Sequence, residues 1–125
     1  MIIKINTLSQ TPIYEQLRNQ IVLGIASKQL QAGDPLPSVR RLGADLGINL
    51  HTVNKAYSLL ETEGYIEIDR RRGAQIKNVS ENTEDIKQKL SDKLLLLAAE
   101  AICHNINNDD FIAVCTENYQ KATGK

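Results

Sequence analysis

Residues 36–68, LPSVRRLGADLGINLHTVNKAYSLLETEGYIEI, constrain this chain more than any other stretch. Val39, Leu42 and Leu46 form a narrow apolar stripe of helical period, and Gly47 stops it. Ser38 is a fitting N-cap for that helix, and Asn49 for the next. The second helix turns Val53, Ala56, Tyr57 and Leu60 inward and ends at Gly64. An alternating run, Tyr65–Asp69, follows, with Ile66 and Ile68 expected on one buried face. Arg70–Gly73 reads as a turn, and Ala74–Val79 as the returning strand. Two short helices about a glycine turn, followed by a hairpin, is the order of a helix-turn-helix with a wing.

Upstream, Thr11-Pro12 suggests an N-cap with proline at the first helical position. Tyr14, Leu17, Ile21 and Ile25 recur every three or four residues, so a first helix is expected over about Pro12–Leu30, with Ile2–Leu8 left as an extended arm. Downstream, the polar stretch Ser80–Asp85 marks a boundary. A long helix over Asp85–Ile106 then carries Ile86, Leu90, Leu94, Leu97 and Ala101 on one line. Leu95, Leu96, Ala98, Ala99 and Ile102 widen that line into a band. Asn107–Asp110 reads as a capping turn, and Phe111, Ile112, Cys115 and Tyr119 line a last helix ending near Ala122. The expected fold class is α+β, mostly α: a winged helix-turn-helix domain over residues 10–79, with its recognition helix at about 50–63 and wing at 65–79, plus a two-helix tail over 80–125.

Net charge is zero, but it is divided. Residues 1–79 carry ten Lys or Arg against seven Asp or Glu, and residues 80–125 five against eight. A basic front and an acidic back direct any polyanion to the front. The polar face of the second motif helix presents Leu50, His51, Thr52, Asn54 and Lys55 near its start, where a recognition helix meets base edges. Asn54 has the donor and acceptor pair that matches adenine, His51 and Thr52 suit bases or phosphates, and Lys55 suits phosphate. Arg40 and Arg41 stand in the first turn of the preceding helix, where cations oppose the helix dipole. A phosphate at that N-terminus would offset the cost; the other reading of Arg41 is a solvated pair with Asp45. Arg70, Arg71 and Arg72 crowd the wing tip, either to meet a DNA groove or as a solvated charged loop.

Enzymatic and metal chemistry find little to build on. His104 adjoins Cys103, but neighbours on a helix point about 100° apart. There is no Gly-rich phosphate loop, carboxylate pair or zinc-ligand spacing, so no cofactor and no metal is expected. Cys103 and Cys115 read as small hydrophobes on apolar helical faces. The longest purely apolar run, Leu94–Ala99, is far short of a membrane span, and no signal peptide is evident, so a cytoplasmic protein is expected. A band as wide as Leu94–Ala99 needs a cover that two helices alone do not supply, and a two-fold partner would supply it. The expected dimer contacts are Ile86, Leu90, Leu94, Leu97, Ala98, Ala101, Ile102, Phe111, Cys115 and Tyr119.

The chain resembles the GntR family of bacterial transcription regulators. Thr11-Pro12-Ile13-Tyr14 with Gln16 is similar to the family's first helix, and Gly33-Asp34-x-Leu36-Pro37-Ser38-x-Arg40-x-Leu42 to its central signature. Thr52-Val53-x-x-Ala56-Tyr57-x-x-Leu60-Glu61 and Gly64-Tyr65-Ile66 resemble its recognition helix and strand. Three positions depart: Arg71 replaces the first glycine of the wing turn, Gln75 the aromatic after it, and Gly43 a usual alanine. The resemblance implies DNA contact through Arg40, Asn49, His51, Asn54 and the wing tip, and Ser38, at the start of the preceding helix, is a further candidate contact. The short tail is similar to that of the YtrA-like subfamily, which implies dimerisation through the tail in place of ligand binding. A homodimeric repressor of a transporter or of its own operon, bound to a pseudo-palindromic operator, is the implied function. An effector stays open, as does a winged helix that binds proteins without sequence-specific DNA recognition.

Overall fold

The computed structural model describes residues 3–79 and 83–124. The chain divides into two compact units, Met1–Val79 and Ser80–Lys125. The first holds α1 (Ile13–Ala26), α2 (Val39–Leu46), α3 (Leu50–Thr62), β1 (Ile66–Asp69) and β2 (Gly73–Ile76). The second holds α4 (Thr83–Cys103) and α5 (Asn108–Ala122). Helices dominate, with one small antiparallel sheet, which makes the first unit a winged helix.

In the first unit, α1 and α2 pack against α3 around Leu17, Ile21, Leu42, Val53, Ala56, Tyr57 and Leu60, all buried. The Tyr57 hydroxyl donates to the Pro37 carbonyl at 2.7 Å, so its one polar atom is satisfied inside the core. Burial pushes the Tyr57 phenol pKa above its usual value of about 10. Arg18 clamps the far end of α3: its guanidinium donates to both Glu63 carboxylate oxygens, at 2.9 and 3.0 Å, and lies over the Tyr65 ring. The hydrogen bonds to Glu63 hold the Arg18 pKa up.

The wing pairs Ile66 with Ile76 and Asp69 with Gly73, leaving Arg70–Arg72 as a three-residue tip. The chain before α2 adds to it. A bridge joins Pro35 to Gln75, and the Leu36 N–H donates to the Ala74 carbonyl at 2.9 Å. Ile66 is buried, but Ile68, two residues further along the ribbon, is exposed and lies beyond the core. The return strand ends at Ile76 rather than Val79, because Lys77 makes the last cross-strand bond, to the Tyr65 carbonyl.

Two helices are shorter than expected. α1 stops at Ala26, where Lys28 takes a positive φ of 65° and Leu30 folds back to donate its N–H to Gly24. A Cβ added to Gly24 would lie 3.0 Å from Leu30 Cδ1, so this glycine makes room for that return. At its other end, Pro12 is the N-cap and not the first helical residue. α4 stops at Cys103, where Asn105 takes a φ of 61° and Ile106 folds back onto the Ala101 carbonyl at 2.9 Å.

The extended arm is fastened to α1. The Gln20 side chain accepts from the Lys4 N–H at 2.8 Å and donates to the Lys4 carbonyl. One helical turn earlier, Gln16 accepts from the Asn6 N–H at 2.8 Å and donates to the Asn6 carbonyl at 2.9 Å. Residues two apart in an extended strand meet residues four apart on a helix.

In the second unit, α5 is capped by Asn107, whose side chain accepts from the Asp110 N–H at 2.8 Å. Ala101 alone is buried among the described residues of this unit. Ile86, Leu90, Leu94, Leu97, Ile102 and Tyr119 are exposed, and Ala98 and Phe111 half-buried. Ala101, at 8% exposure, lies at the floor of the groove between α4 and α5. Cys103 and Cys115 are exposed thiols, not buried hydrophobes.

Candidate nucleic-acid interface

The interface is built at the start of α3. Gly47, at φ 68° and ψ 33°, reverses the chain after α2. The Ile48 N–H then donates back to the Gly43 carbonyl at 2.9 Å. This turn leaves no slack: a Cβ on Gly43 would stand 3.1 Å from the Ile48 carbonyl oxygen and 3.5 Å from Leu50 Cα. Gly43 thus trades helix propensity for a close approach of α2 to the turn.

The Asn49 side chain accepts the His51 N–H at 2.8 Å and starts the helix. Its oxygen is committed to the cap, and its amide nitrogen is a separate donor. Beyond it, Leu50, His51, Asn54 and Lys55 are exposed and Thr52 is half-buried, while Val53, Ala56, Tyr57 and Leu60 hold the opposite face in the core. His51, Asn54 and Lys55 stand three and four residues apart, so they share one outer face.

Ser38 is exposed and caps α2, its hydroxyl accepting from the Arg41 N–H at 3.1 Å. Arg40 is exposed. Arg41 reaches Asp45 at 3.8 Å, but both are well exposed and the pair holds the guanidinium loosely. At the wing tip, Arg70, Arg71 and Arg72 are all exposed, and the turn is fixed by the Arg71 N–H donating to Asp69 at 2.8 Å.

Two neighbours of this surface escape the sequence reading. Tyr14, expected only as a core residue, also lies under Lys55, whose Nζ is 4.1 Å from the ring centroid. A cleft of about 440 Å3 between the starts of α1 and α3 is lined by Ile13, Tyr14, Asn49, His51, Thr52 and Lys55. No local pattern in the sequence signals this contact between two helices. Elsewhere, no group of His, Cys, Asp or Glu side chains suited to a metal occurs among the described residues. Nor is any helix among them long and apolar enough to cross a membrane.

Comparison with known proteins places this geometry in a lineage. Residues 10–76 match the family profile of bacterial regulatory proteins, gntR family. The chain is 36% identical over 87 residues to the uncharacterized HTH-type transcriptional regulator YhcF of Bacillus subtilis strain 168, covering 70% of this chain and 72% of YhcF. It is 43% identical over 81 residues to the HTH-type transcriptional repressor YtrA of the same strain, covering 65% of this chain and 62% of YtrA. A crystal structure of a transcriptional antiterminator from Listeria monocytogenes EGD-e superposes with a TM-score of 0.92 at 28% identity, covering all of this chain and 95% of the other. The two curated relatives are named as transcriptional regulators, not enzymes. The chain is a member of the GntR family of bacterial regulatory proteins, with the family's winged-helix DNA-binding domain at its front.

Proposed function

We propose that this protein is a homodimeric, sequence-specific repressor that binds a pseudo-palindromic operator in the cytoplasm. The observation that carries the reading is the outer face of α3, where His51, Asn54 and Lys55 stand free of the core. Asn54 reads a base, while Arg40, Lys55 and the Arg70–Arg72 tip grip phosphate. Ser38, Arg41, Asn49, Leu50 and Thr52 complete the contact surface. The exposed apolar side chains of α4 and α5 support a two-fold partner. Repression is suggested by the likeness to YtrA, and the resemblance to its subfamily points to a transporter operon or the protein's own.

The test is a footprint on DNA upstream of the gene, followed by anisotropy titrations of that duplex and a scrambled one across salt concentrations. Preference for the upstream duplex is expected. Asn54→Ala should cost roughly 1–3 kcal/mol on it and relax the choice at one base pair. Arg40→Ala should weaken both duplexes alike and lower the salt slope by about one. Equal affinity of the wild type for the two duplexes would sink the proposal.

A further inference from the structure

We infer that Tyr14 is a positioning residue for DNA binding: its ring holds the Lys55 ammonium at the cleft between α1 and α3, set in advance for a backbone phosphate. This rests on the DNA-binding function proposed above. Three observations carry it. Lys55 Nζ sits 4.1 Å from the centroid of the Tyr14 ring, within cation–π range. The Tyr14 hydroxyl donates to Glu15 at 3.3 Å, which leaves electron density on the ring and strengthens its hold on a cation. No carboxylate forms an ion pair with Lys55 among the described residues, so its charge is oriented but not neutralised.

The consequence follows from the chemistry of the two groups. A free lysine on a recognition helix samples many rotamers and loses them when it meets a phosphate. The ring removes much of that freedom before DNA arrives. It occupies one side of the ammonium and leaves N–H donors on the other. The same cleft is walled by His51 and Thr52, whose polar atoms serve the same anion, and by the Asn49 cap. Tyr14 is half-buried and packed against the core, so the ring is a fixed support rather than a mobile one.

The experiment compares wild type, Tyr14→Leu, Tyr14→Phe, Lys55→Met and the Tyr14→Leu/Lys55→Met double variant. Each is checked by thermal melting and titrated with a scrambled duplex at several salt concentrations. Tyr14→Leu should weaken binding about two- to five-fold, and Tyr14→Phe, which keeps the ring but loses the bond to Glu15, should weaken it less. Lys55→Met should lower the salt slope by about one, and adding Tyr14→Leu to it should cost nothing more. Equal losses for the leucine and phenylalanine variants would overturn the inference, and so would a full Tyr14→Leu loss in the Lys55→Met background. Should Tyr14→Leu not fold, the Lys55 Cε protons decide: an upfield ring-current shift in the free wild type, kept in the complex, supports the proposal, and its absence overturns it. If Lys55→Met leaves the slope intact while Arg40→Ala lowers it, this inference fails and the repressor reading stands. If the wild type binds upstream and scrambled duplexes alike, the repressor reading fails, while the Tyr14–Lys55 cycle still reports the phosphate grip.

Discussion

The two units spend their apolar residues in opposite ways. In the first, leucine, isoleucine and valine side chains from α1, α2, α3 and the wing close around Tyr57 and leave a polar exterior at the start of α3. In the second, Leu95 is 72% exposed, Ile102 72% and Tyr119 77%, with Ala101 the single buried hydrophobe described. A groove of about 600 Å3 between α4 and α5 is lined by Leu94, Leu97, Phe111, Val114 and Tyr119 among others. A unit that closes its own core is stable by itself, and one that does not is stable through what covers it. Apolar side chains therefore serve folding in one half and, in the proposed dimer, association in the other.

The sharpest way to break this contrast is at the tail. Replacing Leu94 and Leu97 together by Glu should turn the proposed dimer into a monomer in sedimentation velocity. Losing the second reading head should reduce operator affinity by on the order of 10²- to 10⁴-fold. The melting of the first unit should not move. Persistence of the dimer would refute the assigned interface. Next in size, Leu60→Ala in the closed core should cost about 2–5 kcal/mol in denaturant unfolding, because Leu60 is fully buried. The same truncation at exposed Ile102 should leave the unfolding of the first unit unchanged.

Smaller effects probe the polar seams. Tyr57→Phe leaves the Pro37 carbonyl without its partner and should cost about 1 kcal/mol at neutral pH. The phenol pKa is higher folded than unfolded, so the protonated form favours the native state. That contribution is complete below the unfolded value of about 10 and is lost as pH rises from there toward the folded value. Wild type should lose stability in that alkaline window faster than Tyr57→Phe does. Smallest is Gly43→Ala: better helix propensity, about 1 kcal/mol, is set against a 3.1 Å approach to the Ile48 carbonyl oxygen. A change in unfolding free energy below about 1 kcal/mol is expected, and a larger loss would mean that the turn cannot yield.

How far the fold was legible depended on what ends each helix. α2 and α3 end with a glycine in the left-handed region, Gly47 and Gly64, and their limits were read correctly to within a residue or two. α1 and α4 end the same way physically, but Lys28 and Asn105 take the left-handed position. Leu30 and Ile106 then fold back and look like continuing helical periods. The expected helices ran past their ends for that reason. The exposed face of α3 was legible because Val53, Ala56, Tyr57 and Leu60 fix which side is buried, and the other side follows. The Tyr14 support for Lys55 was not, because it joins residues 41 positions apart through tertiary packing that no local period encodes. The fastening of the arm is not legible, because glutamines on a helix give no sign of what their amides hold.

That arm carries a consequence for how the sequence can drift. Gln16 and Gln20 grasp the peptide units of Asn6 and Lys4, not their side chains. Almost any residue could occupy positions 4 and 6 without loosening the grip, whereas proline, with no N–H to give, would undo one link at either place. A stretch that looks freely variable can thus be structurally obligatory, its constraint written in a single forbidden amino acid.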